Sequence, residues 1–388
     1  MHLAETYALA CGVKIDKPYI YEKYFPLPGG KYVTFQPFGQ TPIKCYDYWQ
    51  EVINLLLPIF SEAKISVIQI GLSKEKRVNG CLSVLGHTSI NQVSYIINRG
   101  ELHFGADSFG VHLASSLQKR IVALYSNNNI KNVGPFWSKK EDVILIEPDR
   151  KGKKPIYGNE ERPKSINTIK PEEIAKSVCD LLGLEFTRPY ETLYTGERYG
   201  EDNMLVYVPD LVHPVKDPSK PIEVRMDYHF NEEILAQQLS VSKCAIITRK
   251  AININILANF RANISHLFYE ITMDDDPEFA QKARRAGVQV ILVSRLSLEE
   301  LKNKKINYLD IGRINIIDKT DVKFLKGLEG NDKIRYKSNK IILSKAGIFS
   351  SFSKFKKGEA FTGKFDSVEF EDCFFDDLSH YHIVKMID

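Results

Sequence analysis

Three short stretches of this chain set small, polar and ionisable residues where a strand gives way to a helix. Gln36-Pro37-Phe38-Gly39-Gln40-Thr41-Pro42-Ile43-Lys44 is a turn of small polar groups followed by one cation. Gly86-His87-Thr88-Ser89 opens a helix. Gly105-Ala106-Asp107-Ser108-Phe109-Gly110-Val111-His112 joins a strand to a helix whose first turn carries Ser, Gly and His. In open α/β sheets, ligands settle beyond the carboxyl ends of the strands, where helix N-termini present unpaired N–H groups. An anion at the third stretch would gain the helix dipole, backbone donors near Gly110 to His112 and the Ser108 hydroxyl. Lys44, from a neighbouring loop, would neutralise it.

The flanking pattern supplies the strands and helices that such clusters need. KYVTFQPF reads as a strand, and YDYWQEVINLLLPIF places apolar residues at helical spacing. KISVIQIG is a β-branched apolar run of the kind buried on both faces of a parallel sheet. TSINQVSYIINRG is helical, with Thr88 or Ser89 as N-cap and Gly100 as stop. ELHFGAD, RIVALYS and DVILIEP are strands, GVHLASSLQ is a helix, and Asn127 to Ser138 is a loop. PEEIAKSVCDLLG is a helix opened by Pro171 and closed by Gly183. Strands alternating with helices imply βαβ units around a parallel sheet.

DRKGKKPIYGNEERPK (149–164) is charged and carries Gly and Pro, which marks an exposed loop; its lysines 151 to 154 form a solvated cluster. Periodicity fades from Phe186 to Glu201, so the domain boundary is set there, with a first domain at 1–190 and a second at 200–388. The second half alternates again. PIEVRMD, KCAIITR and VQVILVS read as strands, and NEEILAQQLS, PEFAQKARRAG and SLEELKNKK as helices. INILANFRANISHLFYEI reads as one long helical stretch ending in strand. From Lys333 the texture turns β-like and aromatic. The expected fold is α/β: two Rossmann-like domains, the second with a β-rich C-terminal addition.

Composition narrows the classes. Of 388 residues, 43% are hydrophobic and 26% charged, which excludes disordered and fibrous chains. The net charge of +4 compels no nucleic-acid partner. Six scattered cysteines (11, 45, 81, 179, 244 and 373), with no CxxC, exclude a zinc module and suit a reducing, cytoplasmic setting. The N-terminus does not read as a signal peptide, and no apolar run reaches the roughly 18 to 20 residues of a membrane span. GxGxxG, GxxxxGK[ST], GxSxG and HExxH are all missing. Asp274-Asp275-Asp276, followed by Pro277, reads as a loop and N-cap rather than a metal-binding DxD site. Taken alone, Asp107 is a helix N-cap, Asp227 likewise caps the helix after PIEVRMD, and His112 equally suits a core histidine.

Taken in order, FQPFGQTPIKCYDYWQEVINLL, SVIQIG, GHTSINQVSYIINRGELHFGADSFGVHLASSLQKRIVALYS, NVGPFW and IKPEEIAKSVCDLL resemble the donor-binding domain of heptosyltransferase-type GT-B glycosyltransferases, glycosyltransferase family nine. Lys44, Gly86, Thr88, Asp107, Ser108, His112, Ala114, Gly134 and Pro135 stand at matching places, over residues 1 to 183. The family's glycine after D-[ST] is Phe109 here, with Gly110 one position later. The family's donor domain is C-terminal, whereas here it comes first, as in a permuted chain.

The resemblance implies two Rossmann-like domains facing a cleft. It implies transfer of a sugar from a nucleotide-diphosphate donor to a hydroxyl, with inversion and without metal or cofactor. Gly39, Gln40, Thr41, Lys44, Thr88, Asp107, Ser108, Gly110 and His112 would hold the donor. The family's Gly-Asp base has no counterpart after KCAIITR, where the sequence reads KAININIL. Asp227, with His229 beside it, is the replacement. The acceptor would be a glycan or a modified base in DNA. A non-catalytic nucleotide-sugar-binding protein and an epimerase on the same fold are the competing readings.

Overall fold

The structure, a computed structural model, describes residues 1–201, 203–213, 222–317 and 323–387. It divides into two compact units, Met1–Thr192 with Met386–Asp388, and Leu193–Lys385.

The first unit is built on six strands: β1 (Lys31–Gln36), β2 (Ile65–Gln69), β3 (Leu82–Ser83), β4 (Leu102–Ala106), β5 (Arg120–Leu124) and β6 (Val143–Ile146). They run in the order β3-β2-β1-β4-β5-β6, every neighbouring pair parallel, which is a Rossmann arrangement with its switch point between β1 and β4. β4 is buried throughout and β1 everywhere but Lys31, because helices cover both faces. These are α1 (Leu3–Cys11), α2 (Trp49–Glu62), α3 (Ile90–Arg99), α4 (Phe109–Ser116), the single turn α5 (Ile130–Val133) and α6 (Pro171–Leu182). Ser89, not Thr88, caps α3 through a reciprocal box with Gln92. Pro171 opens α6 and Gly183 closes it in the left-handed conformation. The buried Glu172 carboxylate ties α6 to the chain beyond it, accepting from the Thr192 amide at 2.7 Å and its hydroxyl at 2.9 Å.

β7 (Tyr190–Thr195) carries the chain from the first unit into the second, where β8 (Met204–Tyr207), β9 (Ile222–Arg225), β10 (Cys244–Thr248), β11 (Ile264–Ile271), β12 (Val290–Ser294) and β13 (Ile314–Ile316) form a parallel run. After β14 (Ile334–Ser338), β15 (Lys340–Ser344) returns parallel to the other side of β8, and β16 (Gly347–Phe349) pairs antiparallel with it. The eight-stranded order is β13-β12-β11-β10-β9-β8-β15-β16. β14 also pairs antiparallel with β17 (Asp366–Ser367) and β18 (Tyr381–Met386), a small sheet built on buried Ile334, Tyr336, Phe374, Tyr381 and Ile383. Both units are therefore α/β with parallel Rossmann-like sheets, and the β-like texture after Lys333 belongs to these added strands.

Four stretches differ from the sequence reading. α1 was not expected; His2 caps it, with Glu5 closing the box. Residues 127 to 138 contain α5, capped by Asn129. The stretch from Phe186 to Glu201 contains β7. The stretch from Ile254, expected as a long helix ending in strand, keeps the strand but has only a short helix, Ile254–Asn259, before the eight-residue β11. A strand buried among parallel neighbours shows the same unbroken apolar run as a buried helix, so periodicity cannot separate the two. Asp276 caps the helix Pro277–Arg285, and Asp275 is bound by Lys304 and Tyr308. Among the described residues, no group of three or more His, Cys, Asp or Glu is placed to hold a metal ion.

One glycine sets how closely β1 and β4 approach. Gly105 has φ +154°, and a Cβ there would lie 2.0 Å from the Gln36 carbonyl oxygen. Gly105→Ala is expected to lower the unfolding free energy by about 2 to 3 kcal/mol, because fixed backbone must shift. Gly183→Ala, strained but with open space around it, should cost only about 1 kcal/mol. Denaturant melts compare the two; equal losses would show that the strands part freely.

Candidate functional site

At the carboxyl ends of β1, β2 and β4 lies a cavity of about 650 Å³, contained wholly within the first unit. Its polar wall joins the three sequence clusters. Gly39, Gln40 and Lys44 come from the loop after β1, Thr88 precedes α3, and Asp107, Ser108 and His112 come from the β4–α4 junction. Ile70, Leu72, Ile90 and Val93 make an apolar wall, and Phe38 and Phe109 also line the space.

Asp107 is the hub. It is only 3% exposed, and its Oδ2 accepts from Lys44 Nζ and from Asn128 Nδ2, each at 2.7 Å. His112 Nε2 stands 3.9 Å from Oδ1. Asp107 does not cap α4. The cap position belongs to Ser108, whose hydroxyl makes no cap hydrogen bond. Instead Gln36, at the end of β1, spans the junction: its Nε2 donates to Ser108 Oγ at 3.2 Å, and its Oε1 accepts the Gly110 amide at 2.8 Å. Glycine at 110 follows from this contact, since a Cβ would meet Gln36 Oε1 at 2.6 Å and His103 Nε2 at 2.7 Å. Gly39 follows the same logic, because a Cβ would strike the Lys44 stem at 2.6 Å. The loop that carries Lys44 is held by Trp49, whose indole donates to the Pro37 carbonyl at 2.7 Å.

The sequence-derived positions divide into three groups. Gly39, Gln40, Lys44, Thr88, Asp107, Ser108 and His112 share the cavity. Thr41 and Gly110 stand behind its wall; the Thr41 carbonyl accepts the Lys44 amide at 3.0 Å, and the Gly110 amide is already taken by Gln36. Asp227 and His229 belong to the other unit. Asp227 receives both bonds of the Arg225 fork, at 2.8 and 2.6 Å, and His229 is exposed. Gln36 stood first in the polar run that ends at Lys44 but not among the expected donor-binding positions, and two further residues of the site escaped the sequence reading. Asn128 sat in an unstructured loop. Glu75 belonged to the charged run Lys74-Glu75-Lys76-Arg77, which resembles any solvated turn. Yet Glu75 lines the cavity, its Oε2 has no hydrogen-bond partner, and burial pushes its carboxyl above the usual range.

Residues 21–159 match the family model described as glycosyltransferase family 9 (heptosyltransferase). The matched stretch is less than half of the chain and contains every residue of the cavity. Among solved structures, the chain is similar to an ADP-heptose lipopolysaccharide heptosyltransferase II from E. coli, with 18% identity and a TM-score of 0.31, over 46% of this chain and 50% of that one. A family 9 glycosyltransferase from Veillonella parvula gives 17% identity and 0.31 over 46% and 50%. An E. coli heptosyltransferase with ADP gives 13% and 0.28 over 39% and 44%. The chain thus spans about half the length of the first of these structures. Comparison with curated protein sequences finds no match.

Burial lowers the pKa of His112, while the Asp107 charge works against it. The ring is therefore neutral at pH 7. Its contribution to stability is complete above the unfolded value of about 6.5 and is lost as pH falls below that. In Asp107→Asn the supporting negative charge is gone, so the His112 titration, followed by NMR, should move further down. An upward move would show that Asp107 does not govern the ring.

Proposed function

We propose that this chain is a glycosyltransferase that moves a sugar from a nucleotide-diphosphate donor to an acceptor hydroxyl, with inversion and without a bound metal. The observation that carries the reading is the Lys44–Asp107–His112 set. It lies at the start of α4 and at the strand ends of a parallel sheet, inside the stretch that matches the family model.

The roles follow from charge. When the sugar–oxygen bond breaks, negative charge gathers on the departing diphosphate, so groups aimed at it favour the transition state over the bound substrate. Lys44 supplies the cation, and Asp107 holds that cation in position, so the ammonium need not be ordered during reaction. Ser108 and Thr88 offer hydroxyl donors. Burial keeps the His112 ring neutral, and a diphosphate beside it would favour its protonation. The unpartnered oxygen of Glu75 accepts the ribose hydroxyls, a common use of a carboxylate in nucleotide pockets. The wall of Ile70, Leu72, Ile90 and Val93 takes the face of the base.

The acceptor side is assigned to the second unit, with Asp227 as general base and His229 beside it. Since both Asp227 oxygens already accept from Arg225, a substrate proton would have to go to an oxygen the guanidinium shares. That geometry favours a second reading, a nucleotide-sugar-binding protein without turnover. The acceptor is a glycan hydroxyl. A modified base in DNA is the other candidate, and an affinity for DNA that falls steeply with salt would mark it.

A panel of ADP-, UDP-, GDP- and CMP-sugars tests the reading. A ligand at 100 times its Kd should stabilise the native protein by about 2.7 kcal/mol and raise Tm accordingly. Lys44→Ala should lower the unliganded Tm, because it strips the buried Asp107 of its cation, and should abolish the ligand-induced shift; a preserved shift removes Lys44 from the pocket. Asp227→Asn should retain the shift and lose transfer. Transfer at the parent rate in that variant would exclude Asp227 as the base, and a shift without transfer in the parent protein would favour the binding reading.

A further inference from the structure

The second unit contains a charged cavity of its own. The carboxyl ends of its parallel strands bear Arg225 at the end of β9, Arg249 after β10, Glu270 near the end of β11 and Arg295 after β12. Glu270, almost fully buried, accepts from Arg249 Nε through one oxygen and from Arg295 Nη1 through the other, each at 2.8 Å, and so fixes the two guanidiniums side by side. Asp376 and Asp377, from the C-terminal addition, stand opposite, with Arg295 Nε 3.8 Å from Asp376 Oδ1. The enclosed space is about 30 Å³, room for roughly two water-sized groups.

Its hydrogen bonding is incomplete in both senses. Asp377 is 6% exposed. One of its oxygens accepts from Lys340 Nζ at 2.8 Å, and the other, Oδ2, is buried without a partner. The positive neighbours Lys340 and Arg225 hold the Asp377 carboxyl below the usual range against its burial, so the orphan oxygen belongs to a carboxylate. On the other wall, among the described residues, neither Nη of Arg249 nor Nη2 of Arg295 has a partner. Charge, in contrast, is already balanced: three guanidiniums and three carboxylates line the space, with Lys340 and Glu270 behind them. Glu223, 3.8 Å from Arg225 Nη1, adds one further carboxyl behind the wall, and burial raises its pKa. A phosphate or a metal ion would unbalance the set. A hydroxyl group brings no charge and both donates and accepts.

We propose that this cavity is a carbohydrate-binding pocket: two neighbouring hydroxyls of a neutral glycan enter it, one donating to Asp377 Oδ2 and both accepting from Arg249 and Arg295. Phe352, stacked on Tyr228 at 4.1 Å between ring centroids, lends an apolar face to the sugar's C–H groups. The inference rests on the glycosyltransferase reading only for naming this glycan as the acceptor.

Saturation-transfer NMR on the full chain, with the methyl α-glycosides of glucose, galactose and mannose at millimolar concentration, tests it without any nucleotide. At least one glycoside should receive saturation. Asp377→Asn and Arg249→Met should each weaken its binding by about fivefold or more, the effect of one lost hydrogen bond. Lys44→Ala should leave it unchanged. Arg249, whose side chain is 47% exposed, carries the test alone if Asp377→Asn does not fold. No signal with any of the three glycosides overturns the proposal, as does binding that is equal in the folded variants. Displacement of a bound glycoside by inorganic phosphate would make this an anion site and also overturn it. Because nucleotide-sugar shifts report on the first unit, loss of those shifts with glycoside binding intact would sink the donor reading and leave this pocket standing.

Discussion

A single buried carboxylate organises the first unit's site. Asp107 has to be ionised to be useful to Lys44, and a charge so far from water is tolerable only when hydrogen bonds surround it. Lys44 and Asn128 meet one oxygen and His112 stands near the other. The consequence runs outward. Lys44 can reach Asp107 only if the loop after β1 turns tightly over it, which requires Gly39 and the Trp49 anchor on Pro37. Asp107 itself is placed by the approach of β4 to β1, which Gly105 permits. Changes in any of these would be felt at the ammonium, although none of them need touch a ligand.

Glycine at position 110 follows from the same packing. α4 begins so close to β1 that Gln36 bonds its second amide, and no Cβ fits between them. Position 109 lies outside that contact, is 43% exposed and tolerates a ring. The aromatic side chain therefore reshapes the mouth of the cavity without disturbing the junction behind it. Any ligand's approach to the start of α4 passes beside the Phe109 ring, which lines the cavity.

Much of this was legible in the sequence because the first unit obeys simple rules. Its strands are continuous apolar runs, its helices carry Ser89, Pro171 and Gly183 at their ends, and its polar residues cluster where strands stop. What escaped was long-range. The role of Gln36, and the presence of Glu75 and Asn128 in the site, depend on partners or cavities formed by chain dozens of residues away, and each has a bland local explanation. Asp107 was recognised as part of the set, but its alternative as a helix cap could be dismissed only once its oxygens were seen on Lys44 and Asn128. α1 was missed for a related reason: histidine is an uncommon cap, so only the reciprocal bond from Glu5 reveals it.

The two sites contrast in a way that bears on what each can bind. In the first unit the ionised groups are few, and the space around Lys44, Thr88 and Ser108 is open and partly apolar, so an incoming anion finds a cation that is positioned but not consumed. In the second unit nearly every charge is already matched: Asp227 is closed by Arg225, and Glu270 is divided between two arginines. Coulomb attraction for a further ion is largely cancelled there, and what the walls still lack is hydrogen bonds. Recognition by unmet hydrogen bonds is directional and weak, and it suits a ligand with hydroxyls at fixed spacing. Recognition by a positioned ammonium is less directional and suits a diphosphate, whose charge can be met from several angles. A charged group and a neutral, hydroxyl-bearing one call for different surfaces, and the first unit offers the former kind while the second offers the latter.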